Sequence, residues 1–376
     1  MTVLSAEERA TLGSSVRAAC ARLLPDHRLR AVAYEEPVAD RGFDRQLWEA
    51  LCSQVGVAAI GIPDGDQDDD CPIAVHAVIA HEMGRALAPV PFLSSAVLTT
   101  RLLTATGGDA ELLEDLAAGR RTAAAAVPTK DGLVDDAALP VSSGDGGQCR
   151  LSGSVRHVLG AAGAEHIVVL AAQNGRPQLY LVERDQPGVT ITAQPVLDAT
   201  RPMATVGLDA ATARQLPAGR PVGDIVGDSL RYAIAVLTAE QVGATERVLE
   251  MAVEYARVRE QFDRPIGSFQ VIKHKCADML VELEMARSAS LAAVEAVDSA
   301  DPDAPWLVSM AKAVCSETLR SAAHANLQIH GGIGFTWEHA VGLYVKRART
   351  DEVLFGSPAG HWRVLEQSAA LTGVAS

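Results

Sequence analysis

The stretch AEQVGATERVLEMAVEYARVREQFDRPIGSFQVIKHKCADML, residues 239–280, decides the architecture. It reads as helix broken once, at DRPIGS, where Pro and Gly stop the pattern. Glu246, Glu250 and Glu254 form a stripe at i, i+4 spacing, the mark of a solvated or interface surface. Helical periodicity starts at about Gly227 and runs to the C-terminal end, with further interruptions at DSADPDAP and GGIGF. Upstream the texture differs. From Thr122 onward the chain is a series of short β-branched runs split by Gly, Asp and Pro: AAAAVPTKDG, CRLSGSVRHVLG, EHIVVLAA, PQLYLVER and GVTITAQPV. Their spacing describes a small β-sandwich or barrel. Further upstream, FDRQLWEALCSQVG and PIAVHAVIAHEMGRALA return to the helical period, and Pro89 and Pro91 should end the second of these helices. The predicted order is helices, strands, helices: an N-terminal helical domain (1–120), a middle β domain (121–222) and a C-terminal helical domain (223–376).

With 376 residues, 48% hydrophobic and 4% aromatic, the chain has enough apolar material for a large core built mostly of Ala, Leu and Val, which favours closely packed helices. A formal charge of −14 argues against a nucleic-acid footprint or a basic membrane patch. Cys20, Cys52, Cys71, Cys149, Cys276 and Cys315 show no C-x-x-C spacing, so neither a zinc site nor a disulfide framework is expected, and a reducing cytoplasm fits. The N-terminus MTVLSAEERATLGSS carries charges where a signal peptide needs an apolar core, so it is expected to belong to the mature fold. No apolar run has the length of a membrane span. The aspartates of PDGDQDDDCP alternate like a calcium loop. However, Asp69 and Val75 stand where such a loop needs Gly and Glu, so a solvated loop and no metal is the expectation.

The opening stretch resembles the acyl-CoA dehydrogenase family, which carries an R-x-Q-F-G-x-P-I-x-x-F-Q signature. The matching residues are Arg259, Gln261, Phe262, Pro265, Ile266, Phe269 and Gln270. A second family signature is matched in QIHGGIGFTWEHAVGLYVKRAR by Gln328, Gly331, Gly332 and Gly334. FDRQLWEAL and HEMGRALAPVPFLSSAVL are similar as well, so the resemblance covers nearly the whole chain. It implies a mainly α fold with a central β domain, a C-terminal four-helix bundle, and FAD in a site shared across a subunit interface. Arg259 suits pyrophosphate with its planar donor fork, Phe262 offers a face to an aromatic ring, and Gly331 with Gly332 lets a backbone approach a ligand closely. Phe269, Gln270, Gln261 and Gln328 complete the implied cofactor set.

The family's base is a glutamate that removes the proton α to a thioester carbonyl, a task suited to a carboxylate of raised pKa. Matching from GGIGF through VKRARTDEVLFGSP puts Phe355 at that position, ahead of Gly356. The alternative base position, ten residues before Gly243, holds Ala233. The nearest carboxylate on that helix face is Glu240, two turns further on, and it is the candidate base. The middle domain has Thr129 but no Gly-Ser-Asp, and His157 where the family has a Trp. Asp263 replaces the glycine after the motif Phe, placing an acid near the implied pyrophosphate. Two readings follow. One is an acyl-CoA dehydrogenase with FAD, acting on an acyl-CoA or acyl-carrier thioester as an oligomer, with an electron-transfer flavoprotein as acceptor. The other is a non-catalytic partner subunit of a heteromeric acyl-CoA dehydrogenase, contributing cofactor contacts. Recruitment of the scaffold to other chemistry is a third.

Overall fold

Local sequence sets the ends of the N-terminal helices. The computed structural model describes residues 5–35, 42–62, 73–130, 133–144, 148–337 and 339–371; the acidic loop Asp64–Asp70 lies outside them. Helix α1 (Ala6–Leu23) starts at a capping box between Ser5 and Glu8, and α2 (Asp26–Tyr34) follows Pro25. In α3 (Arg45–Val55) the Asp44 carboxylate accepts the Leu47 N–H at the start, and Gly56 with φ +76° closes the end. Helix α4 (Ile73–Ala86) stops short of Pro89, as the sequence predicts. A fully buried π-helix, Phe92–Thr99, then leads into α5 (Thr100–Ala105), and α6 (Ala110–Ala117) completes this part.

The β region contains β1 (Ala123–Ala126), the small hairpin β2 (Thr129–Lys130) with β3 (Leu133–Val134), β4 (Val141–Ser143), β5 (Gln148–Leu159), β6 (His166–Gln173), β7 (Arg176–Glu183), β8 (Val189–Ala193) and β9 (Met203–Gln215). Pairings β6–β7, β7–β9, β9–β5 and β5–β4 are antiparallel, and Val141 opposite Ala172 joins β4 to β6, so the strands close into a barrel. Strands β1 and β8 extend it alongside β6 and β9. Ile167 and Val169 of β6 fill the barrel, while Val168 and Leu170 on its other face pack with the helices. A strand buried on both faces reads as a continuous apolar run, which is why EHIVVLAA shows no alternation. The longest strand, β9, has no counterpart among the runs read from the sequence.

Helix α7 (Val222–Val258) crosses the whole structure, followed by a hairpin of β10 (Glu260–Gln261) and β11 (Arg264–Pro265), then α8 (Gln270–Asp298), α9 (Ala304–His330), α10 (Val341–Val353) and α11 (Pro358–Leu371). The breaks fall at DRPIGS, DSADPDAP and GGIGF as expected. Helices α4 and α7 meet backbone to backbone: a Cβ on Gly84 would lie 2.0 Å from the Glu240 carbonyl oxygen, and one on Gly243 would lie 1.9 Å from that of His81. Because α7, α8 and α9 run alternately up and down, the end of α7, the start of α8 and the end of α9 gather at one end of the bundle. Among the described residues no helix is long and apolar enough to cross a membrane, and the five described cysteines are free.

Candidate functional site

The end of the bundle carries both predicted cofactor segments. Arg259 caps α7, donating its N–H to the Tyr255 carbonyl (2.9 Å) and accepting from the Ile266 N–H (2.8 Å), which fixes the base of the β10–β11 hairpin. Its two-residue turn, Phe262 (φ +55°) and Asp263 (φ +57°), has the left-handed conformation that suits a tight hairpin and that Gly, Asn and Asp tolerate best. Asp263 therefore satisfies the backbone demand that a glycine would meet. Phe262 is 85% exposed at the tip, edge-on to the half-buried Phe269 (6.1 Å), whose ring also lies 4.1 Å from the Arg264 guanidinium. Arg259, Gln261, Gln270 and Gln328 are exposed at the same end.

Gly331 follows α9 with φ +61° and ψ −138°, a conformation open to glycine alone. Gly334 is crowded by Leu327 and His330, which accounts for it locally. Gly332 has neither reason: its φ is not left-handed, and an added Cβ would meet nothing within 4 Å. The backbone at Gly332 is therefore bare and open to its surroundings. Behind this segment His330 is buried, stacked on Tyr255 (4.2 Å, 21°) and tilted against His339 (4.6 Å, 53°).

The two implied base positions are apolar and buried: Ala233 is fully enclosed, and Phe355 is 8% exposed with φ +56°. Glu240, the candidate base, is buried in α7, and its Oε1 accepts from Arg201 and from Arg347 Nη1 (2.6 Å). Arg347 continues to Asp198 (2.5 Å) and to the Thr200 hydroxyl (2.7 Å), while Arg201 Nε lies 3.4 Å from Asp351. Lys312 donates to the Ser316 hydroxyl (2.9 Å) and to the carbonyls of Asp351 (2.9 Å) and Gly356 (3.2 Å), thereby bracing the Phe355–Gly356 turn. Three acids and three bases are thus buried together between the β8–β9 connection and helices α7, α9 and α10.

Burial would raise the Asp198 carboxyl, but Arg347, Thr200 and Arg201 hold it below its ordinary value. Asp351, with poorer hydrogen bonding, is pushed up to about 6 by burial and neighbouring carboxylates, and burial lowers Lys312 to about 8. Beside the network, Phe43, Phe92, Leu159, Arg201 and Glu240 line a cavity of about 40 Å³. At roughly 10–15 Å³ per water centre, that is room for about three waters. His157, at the Trp-equivalent position, is exposed on a β-bulge with φ +57°, its N–H bonded to Gln194 Oε1 (3.1 Å); Thr129 is exposed in β2.

The sequence motifs single out the bundle-end residues and pass over the buried Asp198, Arg201, Lys312, Arg347 and Asp351. A signal existed for two of them. Lys312 sits among Val308, Ala311, Cys315 and Leu319, and Arg347 among Tyr344, Ala348 and Asp351, so each charge occupies an inward position of its helix.

A three-part chain of this order, with an arginine hairpin and a glycine segment at the bundle end, defines a flavoprotein dehydrogenase scaffold. Residues 225–370 match the family model "Acyl-CoA dehydrogenase, C-terminal domain". The chain is 34% identical over 362 residues to acyl-CoA dehydrogenase IpdE2 of Mycobacterium tuberculosis, covering 96% of each. Against the solved ChsE4-ChsE5 complex from Mycobacterium tuberculosis it has 28% identity and a TM-score of 0.85, covering 98% of this chain and 99% of that one. Butyryl-CoA dehydrogenase from Megasphaera elsdenii shares the fold, with a TM-score of 0.86 at 18% identity, covering 98% of this chain and all of that one (100%). The chain belongs to the acyl-CoA dehydrogenase family.

Proposed function

We propose that this chain is the base-lacking subunit of a heteromeric acyl-CoA dehydrogenase, lending its bundle end to a flavin held mainly by a related chain that carries the catalytic carboxylate. The observation that carries this reading is the double arginine clamp on Glu240. Its Oε1 is already occupied by Arg201 and Arg347 inside a buried ion network, so the carboxylate is committed to the protein rather than offered to a substrate, and Ala233 and Phe355 stand at the two other positions. The small cavity beside Glu240 supports it too, because an acyl chain needs far more room than about three waters. The similarity to a two-chain complex points the same way.

The residues fit FAD on one side only. Arg259, Gln261 and Phe262 project outward with Gln328 and the bare Gly332 backbone, as contacts to a neighbour's dinucleotide require. On the β-domain side His157 stands where the family has a Trp, and the Gly-Ser-Asp stretch is missing. Bound flavin supplies the acceptor for the substrate hydride; this chain's part is to bind and orient it. The three parts 1–120, 121–222 and 223–376 serve as helical wall, barrel and donor bundle. The reading carries with it a cytoplasmic pair acting on an acyl-CoA or acyl-carrier thioester, with an electron-transfer flavoprotein as acceptor.

A second reading, a self-sufficient dehydrogenase with Glu240 as base, is favoured by one fact: Glu240 lines a cavity that adjoins the barrel, the π-helix and α7. The test is to purify the chain alone and together with a homologue bearing the carboxylate, then record flavin per chain and flavin bleaching by acyl-CoA. Activity in the pair and none alone is expected. Bleaching by the chain alone would overturn the proposal.

A further inference from the structure

The two bundle-end segments that the proposed function assigns to flavin are far apart in sequence, and one aromatic stack joins them. His330 is the residue immediately before Gly331, and its ring lies flat on Tyr255, whose carbonyl receives the Arg259 N–H. Its Nδ1 donates to the Asn326 carbonyl (3.0 Å), which fixes the ring about its own helix. His339, at the far side of the glycine segment, closes the stack. Movement of either segment therefore changes ring overlap that the other segment depends on. Offset stacking is directional as well as apolar, so it sets register in a way that simple burial does not.

We infer that His330 is a positioning residue for the shared flavin site, holding the Arg259 hairpin and the glycine segment in one fixed relation through its ring. It touches neither flavin nor substrate in this role; it acts through Tyr255 and Gly331. The inference rests on the proposed function for its ligand but has a readout of its own.

Hydrogen exchange on the full chain supplies that readout. In His330→Ala, amides of 259–266 and of 331–335 should both exchange faster, while the distant barrel amides stay as they were. In the co-purified pair, flavin should bind roughly 2- to 13-fold more weakly, the range given by loss of one aromatic pair. His330→Phe, which keeps a ring, should restore both properties. Tyr255→Leu, made from the α7 side, should loosen 331–335 in turn. Unchanged exchange in 259–266 upon His330→Ala would overturn the inference, and so would global unfolding of both the Ala and Leu variants, since the stack would then be core packing. A wild-type pair that contains no flavin would instead sink the proposed function, and the exchange experiment distinguishes the two failures.

Discussion

Replacing Glu240 by Gln separates a structural anion from a catalytic base. The side chains are isosteric, so no cavity opens and the change is one of charge and donor pattern. In the wild type the buried cluster contains Arg201, Arg347 and Lys312 against Asp198, Glu240 and Asp351. Without Glu240 it holds three cations against two anions, even though the amide oxygen can still accept from both guanidinium groups at the place of Oε1. Breaking a buried ion pair by removing one partner costs about 3–5 kcal/mol. Unfolding entropy of about 2.1 cal/mol/K per residue over 376 residues comes to about 0.8 kcal/mol/K, so the expected fall in Tm is about 4–6 °C. Scanning calorimetry on the isolated chain measures it, and the co-purified pair reports turnover at a temperature where both variants are folded. The structural reading expects a lower Tm with turnover largely kept. A Tm unchanged within about 1 °C, together with a collapse of turnover, would refute it and restore Glu240 as the base.

Gly243→Ala places a Cβ 1.9 Å from the His81 carbonyl oxygen, so α4 and α7 must part; a loss of about 3 kcal/mol or more is expected in a urea titration, and a loss below about 1 kcal/mol would show that the crossing is slack. Phe355→Glu puts a carboxylate at the implied base position, yet that position is buried, so the isolated chain should gain no acyl-CoA-dependent flavin bleaching and should lose stability. In acid, Glu246 is held down to about 2 by its hydrogen bond to His81 and by Arg85 and Arg287, against burial; Glu82 is held at about 2 against burial by Arg17 and His81. Folded values below the ordinary 4.5 mean that this stabilisation is complete above about pH 4.5 and is lost as pH falls through about 2. Midpoints measured at pH 7, 4 and 3 should drop in that order, and Glu246→Gln should flatten the fall; a parallel curve would count against the His81–Glu246 contact.

The helix, strand, helix order was legible because each element announces itself over a few turns: the prolines after α4 and the breaks at DRPIGS, DSADPDAP and GGIGF are local facts. Barrel closure is not local. It depends on Val141 meeting Ala172 and on β9 returning beside β5, and β9 holds four Ala, one Gly and one Asp in its 13 residues, types whose strand propensity is low. The bundle-end residues stand out for the opposite reason: Arg259, Phe262 and Gly332 are singled out by a spaced motif rather than by periodicity, and Phe262 is 85% exposed. The buried charges carry no such mark. In VKRAR, Arg347 looks like any solvated base, and only its place on the inward face of α10, with Lys312 likewise on α9, distinguishes it.

The two halves of the site also answer one another physically. Here the six charges lock the β8–β9 connection to α7, α9 and α10, and Lys312 ties the same lock to the turn at Phe355. What such a lock stabilises is the relation of barrel to bundle, and hence the direction in which the bundle end faces a neighbour. A network of this kind contributes little net stability when intact and costs much when broken. Its value lies in specifying one arrangement, in which barrel and bundle keep a fixed relation to each other.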